Sequence, residues 1–279
     1  TLYKEYEQIS TTEKFMTTST PLDQIYDFSN LIKDDFPELQ YVPEVSIEYI
    51  HESLQDNFSP AAYVMSPIDS ITSEKIYLNP ASIYLIDEKG NSTNELDTKY
   101  LYTTLAHEGL PGHLYQNAYF KQLDVNPIRK VMKNTGYSDG WATYAENYVL
   151  KYLCGKYSET IIKYLQLENQ LNAAIYSRMD LGIHYNGWTL DELYNFAKNY
   201  FSLNSAENLV PLYNQLVEIP TNCQQYYFTY LKICDMYTAV SDKLGNSFDE
   251  KEFHKYILDC GPAPLRFVED VVFSAYGIK

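Results

Sequence analysis

The sequence predicts a mainly α-helical α+β protein with one small β-sheet. Three features carry that prediction. From about residue 94 onward, apolar residues recur at helical spacing behind capping residues. Between residues 45 and 86, short apolar and aromatic runs are split by prolines, the mark of short strands. At the centre lies Thr103–Gln116, TTLAHEGLPGHLYQ, a helical stretch with a Pro-Gly pair inside it. The chain has 279 residues, 45% of them apolar and 21% charged, which suits a globular protein with a sizeable core.

The elements follow in order. Thr1–Thr18 is polar and mixed. Ser19-Thr20-Pro21 starts a helix, and Leu22, Ile25, Phe28, Leu31 and Ile32 stripe it to about Lys33. Strands are expected around Ile47 and Tyr49, over Ala61–Met65, over Ile76–Leu78 and at Tyr84–Ile86, with a turn at Gly90-Asn91-Ser92. These readings divide the chain into an N-terminal helical segment, 1–44, and a larger unit, 45–279, whose β portion ends near residue 90.

A helix is expected to start near Asn94–Asp97 and to run through Tyr100, Leu101 and Leu105 to His107. It resumes through Tyr115, Tyr119 and Phe120. Thr135–Glu146 is the next helix, then a long one over Tyr157–Ile183 with Leu165, Leu171 and Ile175 as core positions. Trp188 to Glu192 has the form of a helix cap, with Leu193–Phe201 as the helix body. Ser205–Leu216 reads as a helix broken by Pro211. The remaining helices are one from Pro220-Thr221-Asn222 through Val240, one over Asp249–Leu258, and one over Leu265–Phe273 after the turn Gly261–Pro264.

The chemistry concentrates at His107-Glu108 and His113. Neutral imidazoles bind zinc, and an adjacent carboxylate can take a proton from a zinc-activated water. The usual arrangement is H-E-x-x-H on one helix. Here the second His comes two residues later. On a regular helix residues six apart differ by about 240° and about 9 Å, poor geometry for one ion. Pro111 and Gly112 answer this. Proline removes a backbone donor and crowds the preceding turn, and glycine tolerates the irregular backbone that results. A bulge there can absorb the extra residues and turn His113 toward His107. His51-Glu52 repeats the dipeptide without a second His nearby and reads as a surface pair.

Other candidates are carboxylates, a phenol and an arginine. Asp139 and Glu146 are seven apart, so they share a helix face but stand about 10 Å apart along it. One is expected to bind the ion and the other to support it or face substrate. Arg178, Asp180 and His184 cluster on the long helix, and Arg178 or Arg266 is a candidate for holding a carboxylate. Tyr226, Tyr227 and Tyr230 share a helix from which a phenol could donate to an oxyanion.

Composition narrows the partners. The net charge of −16 argues against nucleic acid and anionic membrane. No stretch reads as a signal peptide or a membrane span. The 29 Tyr residues suit the walls of a peptide or sugar groove. The four cysteines form no close pair and read as free or buried thiols. The chain opens on Thr1, as a trimmed or mature fragment would.

His107-Glu108-Gly109-Leu110-Pro111-Gly112-His113 resembles the H-E-x-x-P-G-H signature of the bacterial domain of unknown function 885 family. Gly136 to Glu146 is similar to its E-G-W-A-x-Y-x-E segment, with Asp139 where Glu is usual. Asp180-Leu181-Gly182-Ile183-His184 with Gly187-Trp188-Thr189 resembles a third segment. Pro220 through Tyr230 resembles P-G-Q-A-x-x-Y without its Gly, and Gly261–Leu265 resembles G-x-x-P-L. Members are typically longer, so the chain looks like the motif-bearing C-terminal half. The family sits in a clan of zinc metallopeptidases with a glutamate third ligand.

The resemblance therefore implies a zincin-like (gluzincin-like) fold, with a small sheet near the kinked metal-binding helix, and a zinc-dependent hydrolase acting on peptides or small amides. It implies His107, His113 and Asp139 as zinc ligands, with Glu146 as the alternative third ligand. Glu108 is implied as general base, and Tyr230 or His184 as oxyanion donor. Arg178 or Arg266 would bind a terminal carboxylate. The competing expectation is a catalytically inactive peptide- or ligand-binding protein on the same fold. A secreted or cell-envelope lipoprotein setting is expected for the full-length form, with the cytoplasm as the alternative.

Overall fold

The computed structural model describes residues 15–16, 18–87 and 92–278. Residues 1–14 and 17 of the expected N-terminal segment 1–44, and the Gly90-Asn91 part of the expected turn, lie outside them.

Helix α1 (Pro21–Leu31) begins as the sequence requires, with Thr20 capping the Asp23 amide and Pro21 in the first turn. The sheet follows. Strands β1 (Glu44–Tyr49), β2 (Ala61–Val64) and β3 (Ser73–Leu78) pair in the order β1-β3-β2. β1 runs parallel to β3, pairing Ile47 with Ile76, and β2 runs antiparallel to it, pairing Tyr63 with Ile76. β2 is thus an edge strand. The buried Asn79 ties the loops together, donating to the Gln55 and Phe58 carbonyls at 2.9 and 3.0 Å and capping the short helix α2 (Pro80–Ile83).

Strands β4 (Tyr84–Ile86) and β5 (Ser92–Leu96) form a separate two-stranded pair. This corrects the helix start expected near Asn94: residues 94–96 are strand. Asp97 is the cap of α3 (Thr98–Glu108). The expected kinked helix is two helices, α3 and α4 (His113–Gln122), joined by Gly109–Gly112. The short α5 (Pro127–Val131) leads to α6 (Thr135–Tyr148), which Asn134 caps.

The long helix α7 (Glu159–His184) is capped by Ser158, and α8 (Leu190–Ala197) starts with a full Thr189/Glu192 capping box. Pro211 does not break a helix. It sits in the first turn of α9 (Val210–Glu218), where a missing N–H costs nothing. α10 (Asn222–Leu244), α11 (Glu250–Cys260) and α12 (Leu265–Ala275) complete the chain.

The main core joins α1, the three-stranded sheet and most of the helices. Ile25 and Phe28 of α1, Ile76 and Leu78 of β3, Leu101 and Leu105 of α3 and Trp141 of α6 are fully buried together with residues of α10, α11 and α12. Each such side chain contributes roughly 1.5–3 kcal/mol by leaving water. A second, smaller cluster packs the end of α7 against α8 and α9 through Ile175, Met179, Leu193 and Leu216. Leu165 and Ile175 are buried as expected, but Leu171 is 55% exposed and belongs to neither core.

Helices α6 and α10 pack closest. A β-carbon on Gly140 would overlap the Thr229 side chain, so glycine is what lets the two backbones approach. That contact sets the phase of both helices. It brings the Asp139–Glu146 face of α6 between α3, α4 and α10.

Candidate metal centre

The Gly109–Gly112 loop absorbs the extra residues of the histidine spacing. The Gly112 amide reaches back to the Ala106 carbonyl at 2.9 Å, and the Tyr115 amide to the Gly109 carbonyl at 3.1 Å. The Pro111 carbonyl, freed from any helical partner, accepts from the buried Trp141 indole at 2.8 Å. The Leu110–Pro111 peptide bond is cis. A β-carbon on Gly112 would collide with the His107 and Ala106 carbonyl oxygens, so only glycine fits. The chain doubles back tightly, and the first residue of α4 ends beside the last turn of α3.

The two imidazoles meet as a result. Their ring centroids are 4.8 Å apart at 87°. Asp139 joins them, with Oδ1 3.4 Å from His113 Nε2. One ligand atom from each of His107, His113 and Asp139 lies within 4.8 Å of the others. Glu146 takes a different place. Its Oε2 lies 3.0 Å from His107 Nδ1. A ring nitrogen facing a carboxylate carries the proton, so Nδ1–H donates and the Nε2 lone pair is left for the cluster. The seven-residue spacing of the two carboxylates thus matches the separation of the two histidines: Asp139 serves His113, and Glu146 serves His107.

Burial disfavours charge on His107, but the hydrogen bond and charge of Glu146, with Glu108 and Asp139 nearby, push its pKa up to about 9. Three carboxylates around two imidazoles make a site that favours a cation. Glu108 is held from the other side. The Tyr63 amide of edge strand β2 donates to Glu108 Oε2 at 2.7 Å. Tyr63 is itself pinned, its phenol donating to Glu74 at 2.8 Å and accepting from Asn117 at 2.6 Å. Glu74 pairs with Lys121 at 3.1 Å, both almost wholly buried. Lys121 also donates to Ser66 and Ser70, so the loop after β2 is tied to α4.

The sequence candidates part here. His107, Glu108, His113, Asp139 and Glu146 come together. Tyr230 does not join them: it is buried along α10 near Cys234 and lines a separate cavity with Tyr144 and Lys151. His184 hydrogen-bonds the Leu216 carbonyl at 2.8 Å, in the second core region. Arg178 lies over the Trp188 ring at 4.2 Å and donates to Asn186. Asp180 accepts the Thr221 and Cys223 amides at 3.1 and 3.0 Å, capping α10 from a distance. Arg266 is exposed on α12. Arg178, His184 and Asp180 tie the end of α7 to its neighbours, and their partners are not the histidines.

The phenol at the site is Tyr226, one turn before Tyr230. Its ring stacks along His107, with centroids 6.1 Å apart at 14°. Burial, then the charge and hydrogen bond of Asp139, push its pKa well up, so it stays a donor. The buried stripe Thr229, Tyr230, Ile233, Met236 and Val240 puts Tyr226 and Tyr230 on neighbouring turns of one face, so the sequence could offer both but not choose between them. A cavity of about 420 Å³ opens beside Glu108 and His113 and runs along β2, α4 and the start of α6.

Fold and site define a mainly helical α+β protein with a two-histidine, one-aspartate cluster able to hold a metal ion. The chain belongs to the family described as "Bacterial protein of unknown function (DUF885)", which matches residues 8–272. No curated protein matches it. Among solved structures it resembles a candidate lipoprotein of Colwellia psychrerythraea, with a TM-score of 0.73 at 19% identity over 99% of this chain and 51% of that one. It also resembles a candidate lipoprotein of unknown function from Shewanella oneidensis, with a TM-score of 0.66 at 17% identity over 97% of this chain and 48% of that one. The chain thus spans about half the length of these structures. Among the described residues, no helix is long and apolar enough to cross a membrane.

Proposed function

We propose that the chain carries the metal site of a zinc-dependent hydrolase that cleaves peptide bonds. The observation that supports this most is the convergence of His107, His113 and Asp139, with Glu108 beside them and Glu146 behind His107. The donor set fits zinc: two imidazoles and one carboxylate leave a fourth position free. The raised His107 pKa fits too, since a cation there would displace a proton the acidic surroundings otherwise retain. The resemblance of the helix motif to metallopeptidases directs the reading toward amides.

Zinc in this site would supply Lewis acidity, acidifying a water and polarising a carbonyl oxygen. Glu108 would accept the water's proton on its free oxygen and return it to the departing amine. The Tyr63 amide keeps that carboxylate aimed. Glu146 keeps His107 in the ligating tautomer. The Tyr226 phenol would donate to the oxyanion of the tetrahedral intermediate. The description of both solved neighbours as candidate lipoproteins supports a cell-envelope setting.

The test is zinc content after metal-replete purification, followed by turnover of a mixed peptide library by wild type and Glu108→Gln. One zinc per chain, with turnover lost in the variant, supports the reading. Zinc bound without turnover in either protein assigns a binding role instead, and absence of zinc overturns the metal site.

A further inference from the structure

The cavity beside Glu108 differs in charge from the rest of the chain. The protein carries 37 acidic and 21 basic residues. Yet Lys130 and Lys133 both line this cavity, and Glu108 is the only acid on its wall. Among the described residues neither lysine has a carboxylate within 4.0 Å, although most other lysines do or are held by side-chain acceptors. Lys130 makes one hydrogen bond, to the Lys121 carbonyl at 2.7 Å, which fixes its side chain and leaves further N–H donors. Deeper in, Gln116 forms part of the wall. Its side-chain nitrogen is buried and makes no hydrogen bond of good geometry; the Tyr137 phenol oxygen faces it, which leaves at least one of its two N–H groups without an acceptor. That phenol donates its own proton to the Ile257 carbonyl at 3.0 Å, so toward Gln116 it can only accept. Met65, Met132, Phe120 and Pro262 form an apolar part of the wall, and Ser59, Asn117, Asn134 and Ser138 add neutral polar groups.

A buried donor without an acceptor is costly unless something entering the cavity supplies one. Two ammonium groups and a spare amide N–H, beside the apolar patch of Met65, Met132, Phe120 and Pro262, select an anionic acceptor on a short apolar stem. We propose that this cavity is a specificity pocket for a carboxylate of the peptide, either an acidic side chain or a free C-terminus. This rests on the hydrolase reading for its purpose. Its position beside Glu108 and His113 means that a carboxylate held there places the adjoining peptide bond against the candidate metal centre. The class of substrate is then peptides that present a carboxylate, on a side chain or at the C-terminus, beside the scissile bond.

The experiment measures equilibrium binding of three N-acetylated tripeptides to zinc-loaded Glu108→Gln, which keeps the cavity shape without a proton acceptor. One ends in a glutamate amide, one in a glutamine with a free carboxyl group, and one in a glutamine amide. The proposal predicts that at least one carboxylate-bearing peptide binds about tenfold more tightly than the neutral one, the worth of a hydrogen bond to a charged group. The gain should shrink with salt. It should vanish in Lys130→Met/Lys133→Met and fall in Gln116→Leu, with unchanged thermal melts confirming that the variants are folded. The peptide that keeps the gain identifies the source of the carboxylate. Equal binding of all three, binding of none, or a preference that survives the double lysine substitution overturns the proposal. Because binding is read without turnover, a wild type that hydrolyses nothing would sink the hydrolase reading and leave the pocket standing.

Discussion

Removing the carboxylate behind His107 separates the two roles that Asp139 and Glu146 play. Glu146 Oε2 lies 3.0 Å from His107 Nδ1, and the side chains are 24% and 13% exposed, so water competes little for that bond. Glu146→Gln keeps an acceptor and removes the charge; Glu146→Leu removes both. Partners of this kind are worth about 10- to 100-fold in metal affinity. We expect zinc binding to weaken about 10-fold in the Gln variant and about 100-fold in the Leu variant, or about 1.4 and 2.7 kcal/mol. Asp139→Ala, which removes the proposed third ligand, should cost more than either. The assay is competition for zinc against a chromophoric chelator. It is best run above pH 9: the His107 pKa is about 9, so at lower pH zinc must first displace a proton from wild type, and loss of Glu146 would partly hide its own cost. If Glu146→Leu binds zinc as wild type does, or if Asp139→Ala is the milder change, the assignment of ligand and support is wrong.

Further outcomes follow from the same geometry. Tyr226→Phe should lower kcat about 10²-fold with little change in KM, as loss of an oxyanion donor does, while Tyr230→Phe leaves kcat unchanged. Gly112→Ala drives a β-carbon into the His107 and Ala106 carbonyls, so it should destabilise the fold by about 3 kcal/mol in chemical denaturation and lower zinc stoichiometry as His113 is displaced. His254 is wholly buried: Nδ1–H donates to the Asp35 carbonyl at 2.6 Å, and Nε2 accepts from the Tyr144 phenol at 2.8 Å. Burial holds its pKa down at about 4, so the folded state keeps it neutral. Its contribution is complete above the unfolded value of about 6.5 and disappears as pH falls through 4, a loss of up to about 3 kcal/mol. Denaturant melts at pH 7 and pH 4 should show that loss in wild type and a smaller one in His254→Asn.

The sequence revealed the candidate ligand residues better than their surroundings. His107, Glu108 and His113 were legible because metal chemistry restricts residue types, and Pro111-Gly112 was legible because few backbones need that pair. The Asp139 and Glu146 spacing was legible as a shared helix face. Which one binds and which one supports was not, because that depends on how α6 sits against α3 and α4. Tyr226 and Tyr230 differ by one helical turn, and only the Gly140–Thr229 contact decides which of them faces the histidines. Arg178 and His184 looked functional by type but serve the smaller core, where stacking on Trp188 and a carbonyl contact occupy them. Strand β5 was missed because Asn94-Glu95-Leu96 has no strand pattern of its own and is strand only through pairing with Tyr84–Ile86. Tyr63 contributes a backbone amide, which no side-chain pattern announces.

Anomalous diffraction at the zinc edge, from crystals grown with the metal, addresses the central claim most directly. The account predicts a single strong peak bounded by the two imidazoles and the aspartate, at about 2.0–2.2 Å from each donor atom, with Glu146 still on the far nitrogen of His107. A peak located elsewhere, or none at all with the rings turned apart, would contradict it.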